Sequence, residues 1–433
     1  MLACSAPIAV LRAQSPATLP PKPASGKPIG PLSPFPADTR WTLALNNALI
    51  EQPAYDGVNG YFPIRGDTVV AYDLRQATPR WIVSARPLST PAVGDGLLFL
   101  EQTGSLSAWH LTDGSVAWTV PLTEKLAVPL AEGYGQLVAA TPTTILSFRA
   151  EDGTLQWRRD LGAKPHRSPA VGGDGVYVPM ADGRVIALRA DNGEIQWERR
   201  LREAPNDILV SDAQLFVGSN DNYLYCMNVK DGLTRWRSPR TGADVVSRPI
   251  VDERHVYFVS LDNVLRALNR SNGVQQWKKG LKFRPAWSPI IAADTVLVTG
   301  IQGPLVAFYR KDGAPGGEFA TGVDEIAAPL HTFESLYALG PMIALVTRNL
   351  KAGAMVTAAS HTLEPPLVVD LPVTSLPGLV PAPVPPPAQP DEALSDAVVD
   401  MLPGLVPAPG PLPALHDEAP PDEVPPTPAP IRQ

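Results

Sequence analysis

The hydrophobic and polar positions of residues 168–200 fall into four short runs, and turn residues separate them. The runs are Pro169-Ala-Val, Val176-Tyr-Val-Pro, Arg184-Val-Ile-Ala-Leu and Glu194-Ile-Gln-Trp. Asp182-Gly183 and Asn192-Gly193 lie between them, and such pairs favour the positive φ angles of tight hairpin turns. The pattern predicts a four-stranded antiparallel meander. A sheet of this size cannot bury both of its faces alone, so it needs neighbouring sheets.

The same unit recurs along the chain, and three independent markers keep its register. The outer-strand aromatic residues are Trp41, Trp81, Trp118, Trp157, Trp197, Trp236, Trp277 and Phe319, at spacings of 37 to 42 residues, and five of them follow a Gly-x-x-x pattern. The small residues of the third strand are Ala71, Ala108, Ser147, Ala187, Cys226, Ala267, Ala307 and Ala344. A proline opens the first strand everywhere except near residue 209. A period near 40 residues with four strands per unit is typical of a β-propeller.

Counting these markers predicts an all-β, eight-bladed β-propeller of four-stranded antiparallel blades. The eighth unit lacks an outer strand of its own, whereas residues 38–45 resemble an outer strand with no blade in front of it. We expect this N-terminal strand to close the ring by pairing near Met342–Arg348, because closure removes exposed sheet edges. The propeller would then span residues 38–350, between an N-terminal linker or degraded signal (1–37) and a tail (351–433).

Each marker has a physical role in this prediction. The eight aromatic residues are expected to be apolar plates between adjacent blades. The glycine four positions earlier permits the hairpin before the outer strand. The small third-strand residue leaves room where two sheets come together.

The segment Gly183-Arg-Val-Ile-Ala through Gly193-Glu-Ile-Gln-Trp resembles the propeller repeat of the pyrroloquinoline quinone (PQQ) type. The resemblance extends over residues 38–350. It implies the propeller fold, while the family's functions differ. Some members are quinone-dependent alcohol and sugar dehydrogenases, and others are non-enzymatic outer-membrane assembly scaffolds of the BamB type.

In rings of this kind, the connections that precede the first strands lie on one face. We expect charged and aromatic residues at those connections to form a partner-binding rim around the central funnel. These residues are Arg86, His166, Arg167, Asp207, Arg248, Arg284, Trp287 and Glu325. The alternative for each of them is an ordinary solvated loop side chain.

Charge and composition separate the tail from the ring. The net charge is −7, but residues 363–433 alone carry −9, so the remainder is close to neutral and gives no indication of nucleic-acid binding. Twenty-one of those 71 residues are proline, and the octamer Leu-Pro-Gly-Leu-Val-Pro-Ala-Pro occurs at 376–383 and 402–409. We expect an extended, disordered tail, in which the octamer is either a docking peptide or a spacer.

The N-terminus leaves several alternatives open. Leu2-Ala3-Cys4 followed by a Pro-rich stretch resembles the end of a lipoprotein signal, with Cys4 as the lipidation site. No positively charged region and apolar core precede Cys4, as a signal peptide would require. A degraded signal with cleavage near Ala13, a start further upstream or an ordinary linker would also fit. No run of 18 apolar residues predicts a membrane-spanning helix.

The choice between an enzyme and a scaffold depends on whether the sequence contains the residues of a quinone-binding active site. The alcohol-oxidising quinoproteins have a vicinal Cys-Cys pair, a Trp under the quinone and a Ca²⁺ held by Glu, Asn and Asp. This chain has two separate cysteines and no Cys-Cys pair, and no dense acidic loop is visible for a hard cation. We therefore predict a monomeric, non-enzymatic scaffold in the periplasm, without metal or cofactor, that binds a protein such as an outer-membrane barrel-assembly component. A PQQ-dependent dehydrogenase is the alternative.

Overall fold

The computed structural model describes residues 32–321, 325–333, 341–349 and 353–361, which form strands and turns only. Strand β1 is Ala37–Ala44. Blades one to three comprise β2 (Ala54–Asp56), β3 (Asn59–Ile64), β4 (Thr68–Asp73) and β5 (Thr78–Ser84); β6 (Ala92–Gly94), β7 (Leu97–Gln102), β8 (Ser105–His110) and β9 (Val116–Pro121); β10 (Ala131–Gly133), β11 (Gln136–Ala140), β12 (Thr144–Arg149) and β13 (Leu155–Asp160).

Four further blades repeat this arrangement, and an eighth sheet completes the set. Blades four and five comprise β14 (Ala170–Val171), β15 (Gly175–Pro179), β16 (Arg184–Arg189) and β17 (Ile195–Arg200); β18 (Pro205–Ser211), β19 (Gln214–Ser219), β20 (Leu224–Asn228) and β21 (Thr234–Arg237). Blades six and seven comprise β22 (Ile250–Val251), β23 (His255–Ser260), β24 (Val264–Asn269) and β25 (Gln275–Gly280); β26 (Ile290–Ala292), β27 (Thr295–Val298), β28 (Leu305–Tyr309) and β29 (Pro315–Phe319). The eighth sheet contains β30 (Glu325–Ile326), β31 (His331–Phe333), β32 (Met342–Asn349), β33 (Gly353–His361) and β1.

The predicted eight-bladed propeller is confirmed. Neighbouring strands within each blade are antiparallel, and the four runs of residues 168–200 correspond to β14–β17. First strands of adjacent blades contact one another, for example β6 with β10 and β10 with β14, so the first strands surround the central axis. The described residues contain no helix long and apolar enough to cross a bilayer.

The core consists of apolar layers between blades. The layer between blades four and five, for example, joins Tyr177, Ala187 and Trp197 to Leu215 and Val217. Trp197 lies opposite Ala187 in the strand register, and its Nε1 donates to the Val229 carbonyl of the next blade at 2.8 Å. A Cβ on Gly232 would lie 2.4 Å from the Trp197 ring, so only glycine allows this close approach.

Six tryptophans make this inter-blade contact. In each case the indole Nε1 donates to a carbonyl in the turn between the third and fourth strands of the next blade, at 2.8–3.0 Å. The donor and acceptor residues are Trp81 and Leu111, Trp118 and Ala150, Trp157 and Ala190, Trp197 and Val229, Trp236 and Arg270, and Trp277 and Arg310.

The N-terminal strand closes the ring, but its expected partner was wrong. β1 pairs with β33, whereas β32, which contains Met342–Arg348, is the second strand of the blade. The small residue opposite Trp41 is therefore Ala358, and Ala344 lies one strand too early. The separation between β31 and β32 explains the error, because it exceeds the turns of two or three residues in the regular blades and shifts the period. The sheet consequently extends to His361, beyond residue 350.

Phe319 does not occupy the tryptophan position of blade seven. Gly317 lies opposite Ala307, and Phe319 pairs with Leu305. The Phe35 side chain of the N-terminal segment lies against Gly317, where an added Cβ would be 2.6 Å from the Phe35 Cβ. The insertion before β29 moved the aromatic marker Phe319 away from the tryptophan position. Phe35, which is distant in sequence, covers that position instead. The expectations for Cys4, the N-terminal linker up to residue 31 and the proline-rich tail lie outside the described residues.

Candidate functional site

A cavity of about 300 Å³ opens on the face that carries the connections before the first strands. Residues from six blades line it, so it lies on the central axis. They include Gln52, Arg167, Asp207, Ser247, Trp287 and Pro329. The predicted rim residues Arg167, Asp207 and Trp287 therefore meet at one cavity, although they are far apart in sequence.

Asp207 is the anionic centre of this cavity. Burial raises the pKa of its carboxyl group, while Arg167, Arg248 and His166 oppose that shift through space. The Arg248 guanidinium has a lowered pKa because the funnel walls surround it, and Asp207 partly offsets this effect. Arg167 and Arg248 remain solvent-exposed, whereas Asp207 is half-buried. Arg167 and Asp207 line the cavity, and Arg248 lies close enough to Asp207 for their charges to interact.

A β-bulge positions Asp207 and its neighbour Asn206. The register of β18 shifts between Pro205 and Ile208, and bulges commonly redirect side chains next to functional sites. Asn206 is fully buried and donates to Asn220 Oδ1 at 2.8 Å and to the Val245 carbonyl at 2.9 Å. The sequence analysis did not identify Asn206, but the missing first-strand proline near residue 209 was a signal of this irregular strand.

Three buried polar atoms near the cavity have no hydrogen-bond partner among the described residues. They are His166 Nε2, Asn206 Oδ1 and Trp287 Nε1. Burial and the neighbouring Arg167 lower the pKa of His166, so its imidazole is neutral at pH 7. Unsatisfied buried groups are rare because each one costs free energy. A side-chain interaction with Asn206 partly offsets the lowering of the His166 pKa, so these two residues lie together beside the cavity.

The remaining rim candidates lie elsewhere. Arg86 is exposed and is 3.6 Å from Asp67. Glu325 accepts a hydrogen bond from Gln302 at 3.3 Å. Arg284 lines a separate groove beside blade seven, which Trp287 also borders. The structure therefore brings His166, Arg167, Asp207, Arg248 and Trp287 together and leaves Arg86 and Glu325 outside this group.

A second charged group lies at the connections of blades one to three. Glu101 is 1% exposed, and its Oε1 accepts from the Leu126 backbone N–H at 2.8 Å, while Oε2 has no partner among the described residues. Burial and Glu101 raise the pKa of Glu51, and Lys125 opposes this shift. Glu101 was not identified from the sequence, because it replaces an apolar residue at the end of an otherwise ordinary second strand.

A quinone site of the alcohol-oxidising type would need metal-binding side chains that lie close together. The described part of the chain contains no group of three or more His, Cys, Asp or Glu side chains that could hold a metal ion. Cys226 is a buried free thiol in the third strand of blade five, and burial raises its pKa to about 11.

A family model described as outer membrane protein assembly factor BamB matches residues 65–208 and 206–336. The BamB protein of Bordetella pertussis is 25% identical over 319 residues, which cover 68% of this chain and 82% of that protein. The BamB protein of Yersinia pestis is 28% identical over 111 residues, or 24% of this chain and 28% of its own length.

Two solved structures show the same fold at lower identity. The crystal structure of BamB from Moraxella catarrhalis superposes with a TM-score of 0.60 at 20% identity, covering 75% of this chain and 97% of that one. The quinohemoprotein alcohol dehydrogenase of Comamonas testosteroni superposes with a TM-score of 0.60 at 11% identity, covering 76% and 77%. The propeller ring is therefore common to scaffolds and dehydrogenases, and function has to be argued from the site.

Proposed function

Since the family model matches well over half of the 433 residues, the chain belongs to the family of outer membrane protein assembly factor BamB, and on this premise we propose that it is a non-enzymatic protein-binding scaffold. Its partner would be a component of a machinery that assembles β-barrels into the outer membrane. The protein would act in the periplasm, as a monomer. Cys4 would be its lipid anchor if the N-terminus is processed as a lipoprotein.

The observation that carries this proposal is the charged cluster of the axial cavity. Arg167 and Arg248 precede the first strands of blades four and six, and Asp207 lies in the first strand of blade five, so a rigid ring rather than long loops holds all three. A rigid scaffold binds with little loss of conformational entropy, which favours protein recognition. Mixed charges at such a surface select a complementary partner and exclude others.

The unsatisfied polar atoms support binding at the same place. His166 Nε2 and Trp287 Nε1 have no partner among the described residues, and a bound protein could supply polar groups to them. Trp and Arg are also the residues that most often contribute large binding energies at interfaces. We therefore place the centre of the interface at Arg167, Asp207, Arg248 and Trp287.

The alternative function is that of a quinone-dependent dehydrogenase, and its support is the propeller fold that such enzymes share with this chain. The scaffold proposal needs no cofactor, and the sequence has no vicinal cysteine pair like that of the alcohol-oxidising quinoproteins. Addition of PQQ and Ca²⁺ to the purified protein tests the alternative. Tight PQQ binding together with dye reduction would favour it over the scaffold.

Affinity purification of the full-length chain from native membranes tests the scaffold proposal. The wild-type chain should recover a barrel-assembly protein, and Arg167→Glu and Asp207→Arg should each reduce the recovery at least fivefold. Lys311→Glu is the matched control, because Lys311 is exposed in a turn on the opposite face of the ring and should leave recovery unchanged. Equal recovery by the wild type and both rim variants would contradict the proposed interface.

A further inference from the structure

A second cavity, much larger than the axial one, runs along the junction of blades six and seven. It has a volume of about 1310 Å³, which exceeds the range of about 300–1,000 Å³ that is typical of small-molecule pockets. Its lining is mainly apolar and includes Phe283, Ile301, Val306, Phe308 and Pro315. This groove is an open apolar channel that shares Trp287 with the axial cavity but does not include Arg167 or Asp207.

Comparison with blade four shows how a side chain can fill the corresponding gap. Arg184 lies three residues before Ala187, and its guanidinium donates to the Leu161 carbonyl of blade three at 3.1 Å and to Glu198 at 3.0 Å. It thereby fills the gap between those two blades. The equivalent residue of blade seven is Pro304, three residues before Ala307, and proline cannot span the gap.

The positions that Arg184 contacts also have equivalents in the groove. Leu281 corresponds to Leu161, because each lies four residues after its blade's tryptophan. Glu318 corresponds to Glu198, because each pairs with the residue before the small third-strand alanine. Leu281, Pro304 and Glu318 all line the groove. The groove therefore occupies the space that an arginine fills in blade four.

Two cationic side chains lie at one end of the groove, which Gln302 and Glu318 also line. Lys282 and Arg284 belong to the connection before β26, on the same face as the axial cavity. Neither makes an ion pair or a side-chain hydrogen bond with the residues that the structure describes. Trp287 Nε1 also lines this end without an acceptor. Val306, Phe308 and Pro315 continue the groove along the outer strands of blade seven.

From this arrangement we propose that the groove binds a single acyl chain that carries an anionic head group. The head group accepts from Lys282, Arg284 and Trp287, and the hydrocarbon lies along Phe283, Val306 and Phe308. An extended peptide fits less well, because its backbone amides would lose water in an apolar channel. The free edge of β29 is also partly used, since Ser33 Oγ donates to the Gly316 carbonyl.

The proposal is tested with purified full-length protein and displacement of the fluorescent fatty acid cis-parinarate. Oleate and lysophosphatidylglycerol should both compete below the concentrations at which they form micelles. Octanoate and hexadecyltrimethylammonium should compete at least tenfold more weakly, because the first has a short chain and the second a cationic head. The comparison of oleate with lysophosphatidylglycerol also shows whether a free fatty acid or a lipid is the preferred ligand.

Two groups of variants define the site. Pro304→Arg should restore the contacts that Arg184 makes in blade four and should reduce affinity at least tenfold. Lys282→Glu with Arg284→Glu should reduce affinity about tenfold, whereas Glu318→Gln should increase it. Ile301→Asp is a second test of the groove wall, in case Pro304→Arg fails to fold. Ile301 is 53% exposed and Ile195 of blade four is 51% exposed, so Ile195→Asp is its matched control and should bind normally.

Each outcome decides the question. Saturable binding that is lost in Pro304→Arg or Ile301→Asp but kept in Ile195→Asp supports an acyl site. No competition below the micelle concentration, equal binding by all variants, or binding of an apolar peptide but not of oleate would overturn it. Arg167→Glu should leave oleate binding unchanged, so failure of the lipid site and failure of the proposed partner interface remain separate results.

Discussion

Trp41 lies opposite Ala358 in the outer strand pair of the eighth blade, as Trp197 lies opposite Ala187 in the fourth. The two tryptophans differ in the hydrogen bond that each indole makes with the next blade. Trp197 donates to Val229, but the buried Nε1 of Trp41 has no acceptor among the described residues. In the turn between the third and fourth strands, blade one has Ala77 where blades two to seven have glycine. Ala77 has a φ of 54°. The junction between blades eight and one therefore lacks the hydrogen bond that six other tryptophans make.

Ala77→Gly should strengthen this junction. Glycine relieves the positive φ and makes room for the Trp41 indole to reach the turn carbonyl, so the free energy of unfolding should rise by about 0.5–1.5 kcal/mol. Gly232→Ala should have the opposite sign, because its Cβ would lie 2.4 Å from Trp197. Urea denaturation measures both. Loss of stability in Ala77→Gly would show that the junction does not rearrange.

Trp197→Ala should cost about 3–5 kcal/mol of unfolding free energy, because it empties an apolar layer between two blades. Trp197→Phe is the matched variant. The phenylalanine ring keeps most of the apolar contact but loses the hydrogen bond to Val229. Its loss of unfolding free energy should therefore be smaller than that of the alanine variant. A cost below about 1 kcal/mol for the alanine variant would be inconsistent with an inter-blade role.

Deletion of residues 37–44 should cause the protein to aggregate. β1 covers β33, and its removal would expose the long edge Gly353–His361 to pairing with other chains. Light scattering coupled to size-exclusion chromatography measures the outcome. Arg40→Ala removes a side-chain contact with His361 but keeps the strand, and it should remain monomeric. A monodisperse deletion variant would argue against closure by β1.

Stability should fall as the pH rises towards neutrality because of Glu132. Burial, with a smaller contribution from Asp95, raises the pKa of its carboxyl from 4.5 to about 7, and an added Cβ on Gly94 would collide with this carboxyl group. A raised folded-state pKa means that the contribution is complete below about pH 4.5 and is lost as the pH passes 7.

Glu132→Gln should remove this part of the pH dependence and raise the stability at pH 8. The gain should be on the order of 1 kcal/mol, because partial solvent exposure screens the effect. Chemical denaturation at pH 5 and pH 8 measures it. The exposed Glu194→Gln variant controls for simple loss of charge. An unchanged difference between the two pH values in Glu132→Gln would exclude this residue as the cause.

The sequence by itself determined the repeat, the blade number and the need for an N-terminal closing strand. These features were readable because a blade is built from about 40 consecutive residues whose turn glycines and tryptophans recur. The rim was readable in part for the same reason, since Arg167, Asp207 and Trp287 lie at equivalent points of the repeat.

Only the tertiary structure decided what happens between blades. The pairing of Trp41 with Ala358, the burial of Asn206 and Glu101 and the cover of Gly317 by Phe35 all depend on contacts between segments far apart in the chain. A change of loop length, as between β31 and β32, moves the register without altering any local pattern. The groove beside Pro304 likewise depends on two blades together, and its equivalent position in blade four holds Arg184, which bridges to blade three.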